Sequence, residues 1–216
     1  MTKQILIRSG QVPVTSVLPL FNDVFPSIVS PDHRAYVDFF DGAAGAMNGR
    51  AVPVAPAGQA PTWATTTNLQ LTGSGAAKPS ATDAEARATI EALAAGGNGQ
   101  WGATFLAGTV GAFGILFRRV AGNQQGYRAV IRDSGRLSIQ RTNTGGFVEA
   151  TEDFPFVYTP GDLYTMRVVA QGAVVEVFVN DAKVGQVSNA TLSTLTRAGL
   201  FWQNSDAACL EFMGGS

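Results

Sequence analysis

Short runs of alternating apolar and polar residues dominate most of the chain. Tyr127, Ala129 and Ile131, for example, occupy every second position of one run, with Arg128 and Arg132 on the opposite side. A repeat of two residues turns successive side chains to opposite faces, which is typical of a half-buried β-strand. This run therefore predicts a strand with one face in the core.

Turn residues separate the runs and predict hairpins. Asp133-Ser134-Gly135 follows the run just described, and its glycine accepts the positive φ of a tight turn. Gln171-Gly172 and Asn180-Asp181 separate later runs in the same way. Many strands spaced by about ten residues are typical of a sandwich or barrel, so the predicted fold class is all-β. The predicted strands are residues 36–40, 112–119, 126–132, 136–141, 163–170, 173–179, 183–187, 198–202 and 208–212.

Residues 83–95 are compatible with two structures. Thr82 and Glu85 have the spacing of a helix capping box, and the alanine-rich sequence that follows favours a helix. Alternate residues from Ala86 to Ala92 also fit the inward face of a strand. Alanine contributes little to either pattern, so periodicity leaves helix and strand open here.

Residues 1–34 differ from the rest of the chain. Pro13, Pro19, Pro26 and Pro31 interrupt a segment that is otherwise rich in valine, leucine, isoleucine and phenylalanine. Proline at this density prevents a long helix or a central strand. A solvated linker would be polar, so we expect an extended N-terminal arm that docks on its own domain or on a partner.

Composition and charge exclude several classes of protein. Of the 216 residues, 45% are apolar and only 14% charged, which argues against disorder and coiled coil. A formal net charge of −1 removes the electrostatic basis for a nucleic-acid or anionic-membrane partner. No apolar run approaches the roughly 18 residues of a membrane span, and none near the N-terminus has the length of a signal-peptide core. The single cysteine, Cys209, is expected to pack as a small apolar side chain.

Several segments follow one another in a characteristic order and spacing: Asp38 to Arg50, Trp63, 114–118, 127–129, 135–137, 164–168, 177–181 and 199–201. This order resembles the concanavalin A-like lectin and glucanase superfamily, in the laminin-G-type jelly roll found in bacteriophage virion proteins. The resemblance covers residues 35–213 and implies a two-sheet antiparallel jelly-roll sandwich over residues 35–216. It also implies that residues 87–93 form a strand.

The residue types that commonly act in catalysis occur here without the partner residues that their chemistry requires. His33 is the only histidine, and no Gly-x-Ser-x-Gly turn accompanies it, so a serine hydrolase is not predicted. Glucanases of the resembled superfamily carry Glu-x-Asp-x-Glu along one strand, and this motif is missing. The carboxylates Glu149, Glu152 and Asp153 are expected beside a turn, and a solvated edge or face is the interpretation of both this cluster and the isolated Glu176. We therefore predict no enzyme activity.

Metal and cofactor sites are not predicted either. One histidine and one cysteine, far apart, cannot form a zinc site with typical ligands. Asn180-Asp181 and Asn204-Ser205-Asp206 are too sparse for a calcium shell and are interpreted as turns. The glycines of residues 108–114 lead into a predicted strand, whereas a phosphate loop leads into a helix.

Sugar recognition commonly uses an aromatic face with amide or carboxylate hydrogen bonds. Trp101, in the predicted exposed loop Asn98-Gly99-Gln100-Trp101, is a weak candidate for such a ligand-binding residue, near residues 123–125. A structural role for Trp101 is the favoured alternative, because large aromatic side chains are mostly buried. Trp63 and Trp202 are interpreted as core residues.

Two functions are favoured, and an inactive or diverged glycosidase is a third, less favoured interpretation. The first is a structural component of a phage or phage-like particle, a head spike, decoration or tail protein, assembled in the host bacterial cytoplasm. Its residues 1–34 would attach to capsid or tail subunits, and the domain would recur as a homo-oligomer or in symmetric copies. The alternative is a carbohydrate-binding module that recognises a bacterial surface polysaccharide, in the same particle or outside one.

Overall fold

The computed structural model describes residues 35–55, 59–65, 69–81, 85–90, 98–120, 124–189, 191–195 and 197–215. Every regular element in these ranges is a β-strand, and the strands form two antiparallel sheets, which confirms the all-β sandwich. The strands are β1 (Ala35–Asp38), β2 (Gly45–Ala46), β3 (Trp63–Thr65), β4 (Leu69–Leu71), β5 (Ala77–Pro79), β6 (Ala86–Ile90), β7 (Gly99–Leu106), β8 (Ala112–Arg119), β9 (Gly126–Arg132), β10 (Arg136–Thr142), β11 (Val148–Pro155), β12 (Leu163–Gln171), β13 (Val174–Val179), β14 (Ala182–Ser188), β15 (Arg197–Gln203) and β16 (Ala208–Gly215).

The strand order determines which edges the sandwich exposes. One sheet has nine strands in the order β14-β13-β12-β7-β16-β5-β4-β2, with β1 also paired to β16. The other has seven strands in the order β11-β10-β9-β8-β15-β6-β3. At one side of the sandwich, edge strand β14 of the first sheet lies against β10 and edge strand β11 of the second.

The predicted hairpins are present with the predicted faces. Leu137 pairs with Ile131 across the β9–β10 hairpin, and both side chains are buried in the core. Gly135 adopts a φ of +77° in the connecting turn, a conformation that a residue with a Cβ rarely takes. Period-two alternation therefore identified the inward residues of this hairpin, but the opposite face of β9 is also buried, since Arg128 is 4% and Val130 0% exposed.

Aromatic side chains from both sheets fill the space between them. Phe105 of β7 contacts Phe113 of β8 with ring centroids 4.8 Å apart, and Trp202 meets Phe105 edge to face at 6.2 Å. Trp63 is also buried, so both tryptophans predicted to be core are core. Cys209 lies in the same cluster, where burial raises the pKa of its thiol well above the usual range.

A buried carboxylate ties together the segment that carries the family resemblance. Asp38 is 0% exposed and accepts hydrogen bonds from the Phe40 backbone N–H at 2.8 Å and from Trp63 Nε1 at 2.9 Å. Arg50 donates to it through Nε at 3.0 Å and Nη2 at 2.9 Å, which raises the pKa of Arg50. The aspartate thereby joins the end of β1, the following loop and β3.

Of three further predictions, the strand at residues 87–93 is confirmed in part, the arm lies outside the described residues, and the exposed loop around Trp101 is wrong. Residues 86–90 form strand β6, as the resemblance implied for residues 87–93, while residues 91–93 lie outside the described ranges. The predicted arm, residues 1–34, and His33 within it also lie outside them. The prediction of an exposed loop around Trp101 is wrong. Trp101 belongs to β7, which pairs with β12 on one side and β16 on the other.

None of the described segments forms a helix of the length and apolarity that a membrane crossing requires.

We expect Asp38→Ala to destabilise the fold by about 2–4 kcal/mol, because it leaves two N–H donors and the partly buried guanidinium of Arg50 without their acceptor. Urea unfolding measures the change. The matched control is Asp41→Ala, an exposed carboxylate in the same loop, which should alter stability by no more than about 0.5 kcal/mol. Equal losses for the two variants would contradict the assigned role of Asp38.

A second stability prediction concerns Glu211 on β16. Burial raises the pKa of its carboxyl group, although a hydrogen bond from Thr104 Oγ1 at 2.6 Å opposes the rise. The folded protein therefore holds this proton more tightly than the unfolded chain, so wild type gains stability as pH falls through the raised pKa. Compared with Glu211→Gln in urea unfolding, wild type should gain stability as the pH is lowered from neutral. A difference that is independent of pH would count against the buried carboxyl.

Candidate functional site

A polar cleft of about 290 Å³ lies at the open side of the sandwich, between edge strands β11 and β14. This volume is at the small end of the range for ligand pockets. Both sheets contribute to its walls, since the cleft lies where the two edges face each other. The lining residues are Tyr127, Ile139, Arg141, Ala150, Thr151, Glu152, Gln186, Val187, Ser188 and Asn189.

The walls of the cleft combine hydrogen-bond donors with acceptors. The seven-stranded sheet contributes the guanidinium of Arg141 and the exposed carboxylate of Glu152. The nine-stranded sheet contributes the side-chain amides of Gln186 and Asn189 and the hydroxyl of Ser188. Such a set can bind a ligand that carries several hydroxyl groups, because each hydroxyl both donates and accepts.

Tyr127 lies at the buried end of the cleft and packs against the core. Its side chain is 3% exposed, and its ring stacks on Phe117 with centroids 5.6 Å apart. Burial raises the pKa of its hydroxyl, while the nearby guanidiniums of Arg141 and Arg118 oppose the rise. Within the described part of the chain, the hydroxyl oxygen has no hydrogen-bond partner.

An unpartnered buried hydroxyl is costly in a folded protein. Leaving such a group unsatisfied costs about 1–3 kcal/mol, so nearly all buried polar groups are paired. Tyr127 lines the cleft, but its hydroxyl oxygen has almost no exposed surface, so a ligand reaches this oxygen only if the side chains that cover it shift.

Arg141 is held in place beside this hydroxyl. Its Nε lies 3.4 Å from Glu149 Oε2, and its Nη1 lies 3.5 Å from Thr191 Oγ1. The contact with Glu149 is an ion pair without a hydrogen bond, since Arg141 Nε has no hydrogen-bond partner among the described residues, and the bond to Thr191 is long. The guanidinium therefore keeps N–H donors with which it can bind a ligand oxygen.

The structure places the sequence candidate Trp101 elsewhere. Its side chain is 2% exposed in the core and stacks on Phe117 at 5.9 Å, so it offers no open ring face to a ligand. Its predicted neighbour Asn98 accepts a hydrogen bond from the Gly172 backbone N–H at 2.7 Å and thereby fastens a turn. Trp101 thus has the structural role that was the favoured alternative.

The acidic candidates lie on a solvated edge, as expected. Glu149, Glu152 and Asp153 are exposed on edge strand β11, although no strand was predicted there. Asp153 accepts hydrogen bonds from Ser138 Oγ at 2.6 Å and Arg136 Nη1 at 3.2 Å, and the serine bond is the main reason for its lowered pKa. Glu176 forms an ion pair with Lys183.

The other sequence candidates form turns or strands. Asn180 and Asp181 form a turn with φ of 49° and 66°, and Asn180 Oδ1 accepts a hydrogen bond from the Thr165 N–H. Asn204, at a φ of 49°, begins the loop before β16. The glycine-rich residues 108–111 lead into strand β8, as expected. No cluster of metal-binding side chains is present within the described ranges.

Sequence reasoning identified strands β9 and β10 but missed the cleft residues on them. Tyr127 and Arg141 occupy inward positions, because they alternate with core residues such as Ile131 and Ile139. Polar side chains at inward positions near strand ends were the available signal. The pattern could not show that this end of the strands faces β14.

Comparison with known proteins agrees with the sandwich architecture. A carbohydrate-binding module of the type CBM66 from Bacillus subtilis aligns with a TM-score of 0.55 and 17% identity, over 79% of this chain and 97% of that chain. A sialidase aligns at 0.50 and 13%, over 70% of this chain but only 16% of its own. Galectin LEC-6 from Caenorhabditis elegans aligns at 0.48 and 16%, over 58% and 88%. No curated protein sequence matches.

A family model settles the classification at the level of sequence. The model described as "Glycosyl hydrolases family 32 C terminal" matches residues 56–189, well over half of the 216 residues, and spans β3 to β14. The matched region includes every strand that lines the cleft. This chain therefore belongs to the family of glycosyl hydrolases family 32 C-terminal domains.

Proposed function

We propose that this chain is a carbohydrate-binding module that holds a neutral glycan in the cleft between β11 and β14. The observation that carries the proposal is the polar lining of this cleft, to which both sheets contribute hydrogen-bond donors and acceptors. Beside it lies the buried hydroxyl of Tyr127, which has no partner among the described residues. Because this oxygen has almost no exposed surface, a sugar hydroxyl would pair with it after the covering side chains shift, and the pair would remove the cost of its burial.

The charges around the cleft favour a neutral ligand. Its lining contains one cation, Arg141, and one carboxylate, Glu152. Arg141 is also paired with Glu149, so no excess positive charge is available for a polyanion. Ile139 and Val187 add apolar surface against which the C–H groups of a sugar ring can pack.

The family and the fold support binding over particle assembly. The family consists of C-terminal domains of glycosyl hydrolases, and a solved structure with this fold is itself named a carbohydrate-binding module. Nothing in these comparisons supports a phage particle, a virion location or attachment to capsid or tail subunits. The carbohydrate-binding alternative raised by the sequence is therefore the function that we put forward.

The same geometry supports binding without hydrolysis. Glycoside hydrolysis in most families uses two carboxyl groups about 5–9.5 Å apart across the scissile bond. Glu152 is the carboxylate that lines the described cleft, and the nearby Glu149 is paired with Arg141. We propose that Glu152 accepts hydrogen bonds from sugar hydroxyls and does not act as an acid or a nucleophile.

Titration calorimetry after a glycan-array screen tests this function. The array should contain neutral fructans, glucans, galactans and mannans beside acidic glycans. We expect binding of a neutral glycan and a loss of about 10-fold or more in Glu152→Gln, because hydrogen bonds to a charged group are the stronger ones.

The matched control is Asp153→Asn, one position along β11. Asp153 pairs with Ser138, whose side chain lies on the face of the sheet opposite Ile139. Its replacement should leave affinity unchanged. Absence of binding to every glycan, or equal losses in the two variants, would refute the proposed site.

Tyr127→Phe separates a binding role from a structural one. Because the variant removes an unpartnered buried hydroxyl, its free energy of unfolding should equal that of wild type or exceed it by about 1 kcal/mol, while glycan affinity falls. Tyr164→Phe is the control, since its hydroxyl accepts from the Thr159 N–H at 2.8 Å and its loss should destabilise the protein. A Tyr127→Phe variant that is destabilised as much as the control would argue against an unpartnered hydroxyl.

A further inference from the structure

The turn between β10 and β11 carries an aromatic side chain that is mostly exposed and does not pack in the core. Phe147 is 75% exposed, and it is the only aromatic residue among the large exposed apolar side chains of the described ranges. A single exposed apolar side chain is ordinary on a protein surface, so the position and orientation of this ring decide whether it can bind a ligand. The ring lies next to the strand that forms one wall of the cleft.

The turn that carries Phe147 is tightly hydrogen-bonded. Asn143 Oδ1 accepts from the backbone N–H groups of Gly145 at 3.0 Å and Phe147 at 3.1 Å. The Asn143 N–H donates to the Phe147 carbonyl at 3.0 Å, and the Gly146 N–H to the Asn143 carbonyl at 2.9 Å. These four bonds hold the backbone of Phe147 in place before any ligand arrives.

The ring itself lies against the turn. A Cβ placed on Gly145 would come within 3.2 Å of Phe147 Cδ2 and 3.3 Å of Cε2, so the absence of a side chain at residue 145 gives the ring its place. The ring therefore has a neighbour on one side while most of its surface remains open. A pre-oriented aromatic ring binds with little loss of conformational entropy.

Strand β11 runs directly from this ring to the cleft. Val148, the first residue of β11, pairs with Thr142, and Ala150 pairs with Arg141 in the cleft wall. A β-bulge between Val148 and Ala150 shortens this path, so at about 3.3 Å per residue Phe147 precedes Ala150 by less than roughly 10 Å along the strand. A glycan that leaves the cleft at this end of β11 would place its next sugar residue near Phe147.

We propose that Phe147 is a second subsite, which packs its ring against the C–H face of the sugar residue next to the one in the cleft. This inference rests on the proposed carbohydrate binding and adds the class of ligand: an oligosaccharide or a chain, in preference to a free monosaccharide. Ring faces suit this contact because they are flat and apolar, as is one face of many sugars. The cleft supplies hydrogen bonds and Phe147 supplies contact area.

Calorimetry with matched sugars tests the subsite. The probes are fructose and kestose, glucose and maltotriose, galactose and galactotriose, and mannose and mannotriose. In the series that binds, wild type should bind the trisaccharide about 3- to 10-fold more tightly than the monosaccharide, the range expected for one aromatic contact. Phe147→Ala should abolish this gain and leave monosaccharide affinity unchanged, while Phe147→Trp should retain it.

Val157→Ala is the matched control, since Val157 is 84% exposed beyond the other end of β11. It should change neither affinity, and urea unfolding of all three variants should match wild type. An unchanged gain in Phe147→Ala, an equal loss for both sugars, or no gain in wild type would overturn the subsite while the cleft still binds. Failure of wild type to bind any probe would overturn both the cleft and the subsite.

Discussion

The packing of two inner sheet faces is the constraint on which the rest of this structure depends. Each strand offers alternate side chains to the space between the sheets, and rings such as Phe105, Phe113 and Trp202 interlock there. Apolar surface removed from water is the main favourable contribution to such a core. Because two sheets pack as separate layers, their outermost strands remain edges. The β11–β14 cleft lies at one such pair of edges, so the candidate site follows from the architecture.

Two buried polar groups, Asp38 and the Tyr127 hydroxyl, differ in whether the fold supplies their hydrogen-bond partners. Asp38 receives four hydrogen bonds and is fully satisfied, as a buried carboxylate must be if it is to stabilise a fold. Tyr127 is almost equally buried, yet its hydroxyl has no partner in the described structure. A group that the fold leaves unsatisfied at a cleft is a better indicator of ligand binding than one that the fold has paired.

Local sequence was informative about strands with one clear face and misleading elsewhere. Trp101 follows Asn98 and Gly99, which are typical turn residues, but pairing with β12 and β16 placed it inside the nine-stranded sheet. Strand β11 escaped prediction for a different reason. It is an edge strand whose residues are mostly exposed, and three of its eight residues are acidic. Charge on an edge protects against aggregation, and here it also hides the apolar alternation. In both cases the partner strand decided the structure.

The amino-acid sequence alone determined the all-β class, most of the strands, their turns and the inward positions of residues such as Ile131 and Leu137. These features depend on the conformation of a few consecutive residues, and a period of two reports that conformation directly. Only the tertiary structure decided that Arg141 and Glu152 would face Gln186 across a cleft and that the Tyr127 hydroxyl would lack a partner. Such features depend on which sheet edges, formed by strands far apart in sequence, come to lie side by side, and local periodicity does not report this.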